Sequence, residues 1–301
     1  MIVTLTTDFG RRDAYVAEMK GVVLGIAARA GASVQLVDVT HEVERHDVAE
    51  AALALEAAAS FFPAGTVHVA VVDPGVGTER RGLVVAAAGQ LFVGPDNGIF
   101  EGIFEGIFTG ILTPHVAVAG WRAWALESSE YRLPVVSRTF HGRDVFAPAA
   151  AHLACGVDPA RLGPAVSDPV RLPWPEVRAV AGGVAGTVLH VDRFGNLISS
   201  VRAESIAPLG AGAVVRVGGR AVARVGTYAD LRPGAAGALL GSGGRLEIAV
   251  REGSAAAALG ARRGTPVIVS RTVSVSGGSR GSSGGPRTRA WSRRRTRARP
   301  E

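Results

Sequence analysis

The stretch Val69-Ala-Val-Val-Asp-Pro-Gly-Val-Gly-Thr-Glu-Arg-Arg81 ends an apolar run on a carboxylate, turns on glycines and closes with two guanidiniums. A buried strand that stops at Asp73 and turns on Pro74-Gly75 and Gly77 is how an open α/β sheet presents polar groups at its carboxyl edge. Arg80 follows that carboxylate by seven residues. Asp8, Asp96-Asn97 and His141 also stand at the ends of apolar or turn segments. In a doubly wound sheet such ends face one side, so these groups, with Arg80 or Arg81, can share a site. Each has a plainer reading beside it. Asp73 and the arginines could form a solvated turn, Asp8 a helix cap, and Asn97-Gly98 a type I′ turn. His141 could be an ordinary surface or core histidine. Asp192-Arg-Phe-Gly-Asn196 could be a turn between strands.

The elements that must position these groups follow from periodicity. Ile2–Leu5, Val34–Val39, Val67–Val72, Gly82–Ala87 and Leu91–Val93 read as strands. Asp13–Ala30 reads as a helix closed by Gly31, and Asp47–Phe62 as an Ala-rich helix capped by Asp47 and ended by Pro63-Ala-Gly65. Strands alternating with helices predict a mostly parallel, covered sheet. Pro134–Ala151 reads as a turn entering a helix, with Thr139 and Asp144 as candidate caps. Beyond a proline cluster around Trp174 the pattern changes to short strands separated by glycines, which predicts a small β-barrel. The expected organisation is an N-terminal α/β domain over 1–172, a linker over 173–182, a β-barrel domain over 183–273 and an Arg-rich disordered tail over 274–301. Gly-Ile-Phe-Glu repeats through 98–112 and places glycine every fourth residue, one stripe on a helix, at about 1 kcal/mol each relative to alanine.

Composition excludes several classes. The chain is 301 residues long with a net charge of +7. Eight arginines and one glutamate within residues 276–301 account for all of it, so the body is neutral. A nucleic-acid-binding protein resting on that tail is therefore a weak alternative. The single Cys155 allows no internal disulfide and suits a reducing compartment, and the first residues lack a signal-peptide pattern, so the expected location is cytoplasmic and not membrane-bound. Thr7-Asp-Phe-Gly10 and His141-Gly-Arg-Asp144 occur in the wrong order for a protein kinase. Gly75-Val-Gly77 fits neither a dinucleotide nor a P-loop fingerprint. The histidines lack zinc spacing, and no metal is expected.

Taken together, Thr7-Asp-Phe-Gly10, Tyr15-Val with Met19-Lys-Gly21, Val72-Asp-Pro-Gly-Val-Gly-Thr78 with Arg80-Arg81, and Val93-Gly-Pro-Asp-Asn-Gly98 form an ordered series. Thr139-Phe-His-Gly-Arg-Asp144 with Phe146-Ala-Pro148, Asp192-Arg-Phe-Gly-Asn196, and Leu246-Glu-Ile-Ala-Val250 with Gly253-Ser-Ala255 continue it. The series resembles the S-adenosyl-L-methionine (SAM) hydroxide adenosyltransferases, adenosine-forming hydrolases related to the fluorinase and chlorinase enzymes, over about residues 1–272. The resemblance implies an α/β domain followed by a smaller β-barrel domain, and a homotrimer binding SAM between one subunit's first domain and its neighbour's second. It implies Asp73, Arg80 and His141 as the catalytic set and Asp8 as the carboxylate holding the ribose hydroxyls. Phe140, Asp192, Phe194, Asn196 and Tyr228 are implied as substrate contacts, with Ser242 and Glu247 at the methionine end. The Gly241-Ser-Gly-Gly244 turn departs from the family's asparagine-containing form, and His46 falls where the halogenases carry an aromatic ring.

The residue types suit that chemistry. Displacement at C5′ of a sulfonium expels an already cationic leaving group, so neither a general acid nor a cofactor is required. Water must be oriented and relieved of a proton, which a carboxylate, a guanidinium and an imidazole can do together. Halide attack on the same carbon is the alternative, but an anionic Asp73 beside the nucleophile would repel halide.

Overall fold

In the strand Val67–Val71 every residue is buried. Val67, Val69 and Val71 join one apolar core, while Ala70 and the following Val72 join another. Successive side chains of a strand point to opposite faces, so a strand apolar on both must be covered on both. The structure, a computed structural model, describes residues 1–105, 120–210 and 212–271.

The first sheet contains β1 (Ile2–Thr7), β2 (Gln35–Thr40), β3 (Val67–Val71), β4 (Gly82–Ala87), β5 (Gln90–Pro95), β6 (Arg122–Ala125) and β7 (Ala165–Val166), in the order β2-β1-β3-β5-β4-β6-β7. β2, β1, β3 and β5 pair in parallel. β4 and β7 run against them, and β6 runs with them. Helix α1 (Tyr15–Arg29) buries Met19, Val23, Ile26 and Ala27, the i, i+4, i+7, i+8 stripe of a helix lying on a core. It covers one face together with α4 (Ala147–Ala154). The other face is covered by α2 (Val48–Ala59), through Ala51, Leu55 and Ala59, and by α3 (Glu101–Phe104). The result is the expected mostly parallel α/β sandwich.

The second part holds β8 (Arg178–Val180), β9 (Gly183–Val191), β10 (Leu197–Arg202), β11 (Val214–Val217), β12 (Arg220–Arg224), β13 (Ala236–Leu240), β14 (Arg245–Val250) and β15 (Pro266–Ser270). The order β10-β14-β13-β12-β11-β15-β9 is closed by pairing of β9 with β10, which makes a seven-stranded barrel around its own apolar core. β8 lies within the stretch read from sequence as a linker and extends the barrel by pairing with β9.

Several local expectations are corrected. Asp47 does cap α2, accepting from the Glu50 amide at 3.0 Å. Thr139 and Asp144 do not cap a helix. Asp144 is fully buried inside a single π-helical turn, Gly142–Phe146, where it accepts from the Ser137 amide and from Arg143. Asp96-Asn97-Gly98 is not a hairpin turn but the exit from β5 into α3. Gly98 has φ +92° and lies outside α3, so Gly98 and Gly102 do not form a stripe on one helix. The repeat beyond residue 105 and the Arg-rich tail over 274–301 lie outside the described residues.

Candidate active site

Asp73 lies just beyond the end of β3, and the chain then doubles back through two glycines of different purpose. Gly77 has φ +77°, and a Cβ there would sit 2.3 Å from the backbone oxygen of Arg138. The turn therefore abuts the segment that leads into His141. The Thr78 hydroxyl closes the turn by donating to the Gly75 carbonyl at 2.7 Å.

Arg80 returns toward Asp73. Its Nε donates to both carboxylate oxygens, at 2.9 and 3.1 Å, and its Nη2 donates to Oδ2 as well. The same Nη2 lies 2.9 Å from His141 Nδ1. Side-chain exposures of 6% for Asp73 and 13% for Arg80 make this a mostly desolvated pair, and Arg80 packs over the ring of fully buried Phe146. His141 opens the π-helical turn, a rare geometry often found at functional positions. A guanidinium has no acceptor, so Nδ1 of His141 must accept and the neutral ring carries its proton on Nε2. Burial and then the Arg80 charge hold the imidazole below its ordinary range, against the smaller opposing pull of Asp73 and Asp144. The three groups expected to act together are thus in contact.

The strand-end groups divide cleanly. Arg81 pairs with buried Asp96 and reaches Asp168. Asn97 Nδ2 donates to the Val72 carbonyl at 2.9 Å, tying the end of β5 to that of β3. These residues brace the edge, whereas Asp8 remains at the cleft. It is not a helix cap: its Oδ2 accepts from the His46 amide at 2.9 Å, and α1 begins after Ala14 without a side-chain cap.

Asp8, Asp73, Phe140 and His141 line one cleft of about 860 Å³. Phe140 sits in an edge-to-face group with Phe9 and Tyr15, at ring separations of 5.7 and 5.2 Å, and Arg143 covers its ring. Six carboxylates line the cleft (Asp8, Asp13, Glu18, Glu42, Glu44 and Asp73) against Arg45 and Arg143. That field favours a cationic ligand. Asp13, Glu18 and His41 were not among the candidate site residues read from sequence, and His46 was read only as standing where the halogenases carry an aromatic ring. The 41–46 loop follows β2, and the strand-end rule that found Asp73 applies equally there.

The second-domain candidates form their own group and do not line this cleft. Asp192 accepts from the Phe194 and Asn196 amides and from Asn196 Nδ2, all at 2.9 Å, which fixes a rigid loop. Phe194 projects from it with 77% exposure. Tyr228 donates to buried Glu247 at 2.5 Å. That bond to the carboxylate and then burial push the phenol up to about 12. Ser242 is exposed in the turn between β13 and β14. Among the described residues no cluster of His, Cys, Asp or Glu is suited to hold a metal ion, and no helix is long and apolar enough to cross a membrane.

An acidic cleft at the carboxyl edge of a covered α/β sheet, followed by a closed barrel with a hydrogen-bonded polar loop, defines the class: a mostly parallel α/β sandwich joined to a small β-barrel. The chain belongs to the SAM hydroxide adenosyltransferase family: the family's N-terminal domain matches residues 3–163 and its C-terminal domain residues 186–268. It is 44% identical over 278 residues to (R)-S-adenosyl-L-methionine hydrolase of Thermus thermophilus, covering 88% of this chain and 98% of that protein. The fluorinase of an Actinoplanes species is 31% identical over 239 residues, 70% of this chain and 75% of the fluorinase. A crystal structure of an uncharacterised conserved protein from Thermotoga maritima superimposes with a TM-score of 0.78 at 33% identity, covering 90% of this chain and all of that one.

Proposed function

We propose that this protein hydrolyses SAM to adenosine and L-methionine by attack of water at C5′. The observation that carries the proposal is the Asp73–Arg80–His141 contact set at an acidic cleft. The water oxygen forms the bond to C5′ as the C5′–sulfur bond breaks, and the electron pair leaves on sulfur as the neutral thioether of methionine. One proton is released. His141 cannot take it at Nδ1 while Arg80 occupies that lone pair, so its Nε2–H orients the water. Asp73, whose oxygens keep further lone pairs, accepts or relays the proton. Arg80 fixes both groups and favours the developing hydroxide. Holding the reactants in line contributes several kcal/mol more.

Asp8 takes the ribose hydroxyls, and Phe140 lies beside the sugar. Asp192, Phe194, Asn196 and Tyr228, with Ser242 and Glu247, contact the base and methionine ends from a neighbouring subunit of a homotrimer. The exposure of Phe194 and the confinement of the cleft lining to the first domain support a shared site. No cofactor is needed, because the leaving group is already activated. The solitary Cys155 supports a cytoplasmic enzyme. Halide attack is disfavoured by the six carboxylates and by the lower similarity to fluorinase than to the hydrolase.

The test is incubation of the purified protein with the separated sulfonium epimers of SAM, with and without chloride, followed by identification of the nucleoside. Adenosine from the R epimer, unaffected by chloride, is expected. A 5′-halonucleoside, or no adenosine from either epimer, refutes the proposal.

A further inference from the structure

The barrel meets the first domain along an acidic edge of α2. Glu56 accepts from Arg245 at 3.0 and 3.1 Å and from Arg202 at 2.5 Å, and the Glu56 and Arg245 side chains are only 10% and 8% exposed. At the other end of α2, Arg263 of the barrel pairs with Asp47. Asp47 has two roles at once: Oδ1 caps α2, and Oδ2 takes the guanidinium.

The residue before Asp47 is His46, held at φ +65°. That conformation is costly for a residue with a Cβ and persists only where its surroundings enforce it. It is this strained turn that aims the His46 amide at Asp8 Oδ2, 2.9 Å away. The Asp47 amide donates to the Glu44 carbonyl at 2.9 Å, so the turn is anchored on Asp47 by backbone as well as side chain.

We infer that Arg263 is a positioning residue for ribose recognition: through Asp47 it holds the strained His46 turn that orients Asp8. The inference rests on the reading of Asp8 as the ribose carboxylate. Arg263 is 46% exposed, so its ion pair belongs to the weak, screened class and its effect is modest.

The test compares wild type with Arg263→Ala, Asp47→Asn and Arg263→Lys, each checked for an unchanged melting temperature. Asparagine also caps helices, so Asp47→Asn removes the ion pair while keeping the cap. Titration with adenosine should show dissociation constants raised about two- to fivefold in Arg263→Ala and Asp47→Asn, and mostly restored in Arg263→Lys. 2′,3′-Dideoxyadenosine, which offers Asp8 no hydroxyls, should bind all four proteins alike. Without ligand, amide hydrogen exchange over 44–48 should accelerate in Arg263→Ala. Equal weakening of both nucleosides, or unaltered exchange, overturns the inference. Failure of the wild type to bind adenosine overturns the nucleoside reading itself, and the ligand-free exchange measurement separates the two.

Discussion

Arg80 donates to both of its partners, and that polarity makes a specific claim about protons. Protonating His141 would set two donors face to face at Nδ1, so the working form is the neutral ring. Burial and the Arg80 charge hold the imidazole below its ordinary value of 6.5. Turnover should therefore be level around pH 7 and fall on acidification with a midpoint below 6.5, read from the pH dependence of kcat/KM. Folding follows the same sign. The unfolded ring binds protons more readily, so this contribution to stability is complete above 6.5 and lost as pH falls through the lowered value. An acid limb centred above 6.5 would show that another group governs it. Asp73 is best probed as Asp73→Asn, because truncation to alanine would leave the buried guanidinium unpaired. The expected loss is about 10²- to 10⁴-fold in kcat with adenosine affinity kept within a few fold. Retained turnover would remove Asp73 from the proton's path.

At the scale of elements, the loop after β3 and the π-helical turn work as one support. Gly77 is where the loop meets the segment leading into that turn, and alanine there meets both a positive φ and the Arg138 carbonyl. Gly77→Ala should cost about 1–3 kcal/mol in stability and lower kcat by moving Arg80 relative to His141. Gly75→Ala is the control, since its added carbon would meet only side-chain atoms of Arg80, Thr78 and Asp73, at ordinary distances of 3.4, 3.5 and 3.8 Å. Comparable melting temperatures and rates for the two variants would show that the contact does not set the geometry. These elements differed in how readily sequence disclosed them. Asp73 and Asp8 were legible because apolar runs with a sharp stop mark strand ends, and β1 and β3 are buried almost throughout, whereas the choice of Arg80 over Arg81 came from the family resemblance. The 41–46 loop follows the end of β2, so the strand-end rule reaches it, but Asp13 lies between β1 and α1 where no periodicity operates, so its direction carried no signal. Thr139 and Asp144 were misread because cap chemistry is local, whereas the Asp144 carboxylate is recruited by Ser137 seven residues upstream. Strand β13, Ala-Gly-Ala-Leu-Leu, has no alternation to reveal it, and its place is fixed by β12 and β14.

At the scale of the molecule, the two sets of candidate residues occupy different surfaces of one chain. The cleft draws on residues 8–143 alone, while Phe194 and Tyr228 stand 77% and 46% exposed on the barrel. In the proposed homotrimer each barrel completes the neighbouring cleft, a head-to-tail contact that closes as a ring. The arrangement makes a sharp prediction for mixtures. Asp73→Asn disables a cleft but leaves its own barrel intact, and the double variant Phe194→Ala/Tyr228→Ala does the reverse. Each variant alone should be nearly inactive. When the two are co-expressed in equal amounts, half of the clefts are intact and half of those face an intact barrel. Activity should then recover to about a quarter of wild type. If the site lay within one chain, no mixed assembly would contain an intact site, and activity would stay at the mean of the two parents. Rate measurements on the co-expressed trimer, with each parent as control, separate the two arrangements.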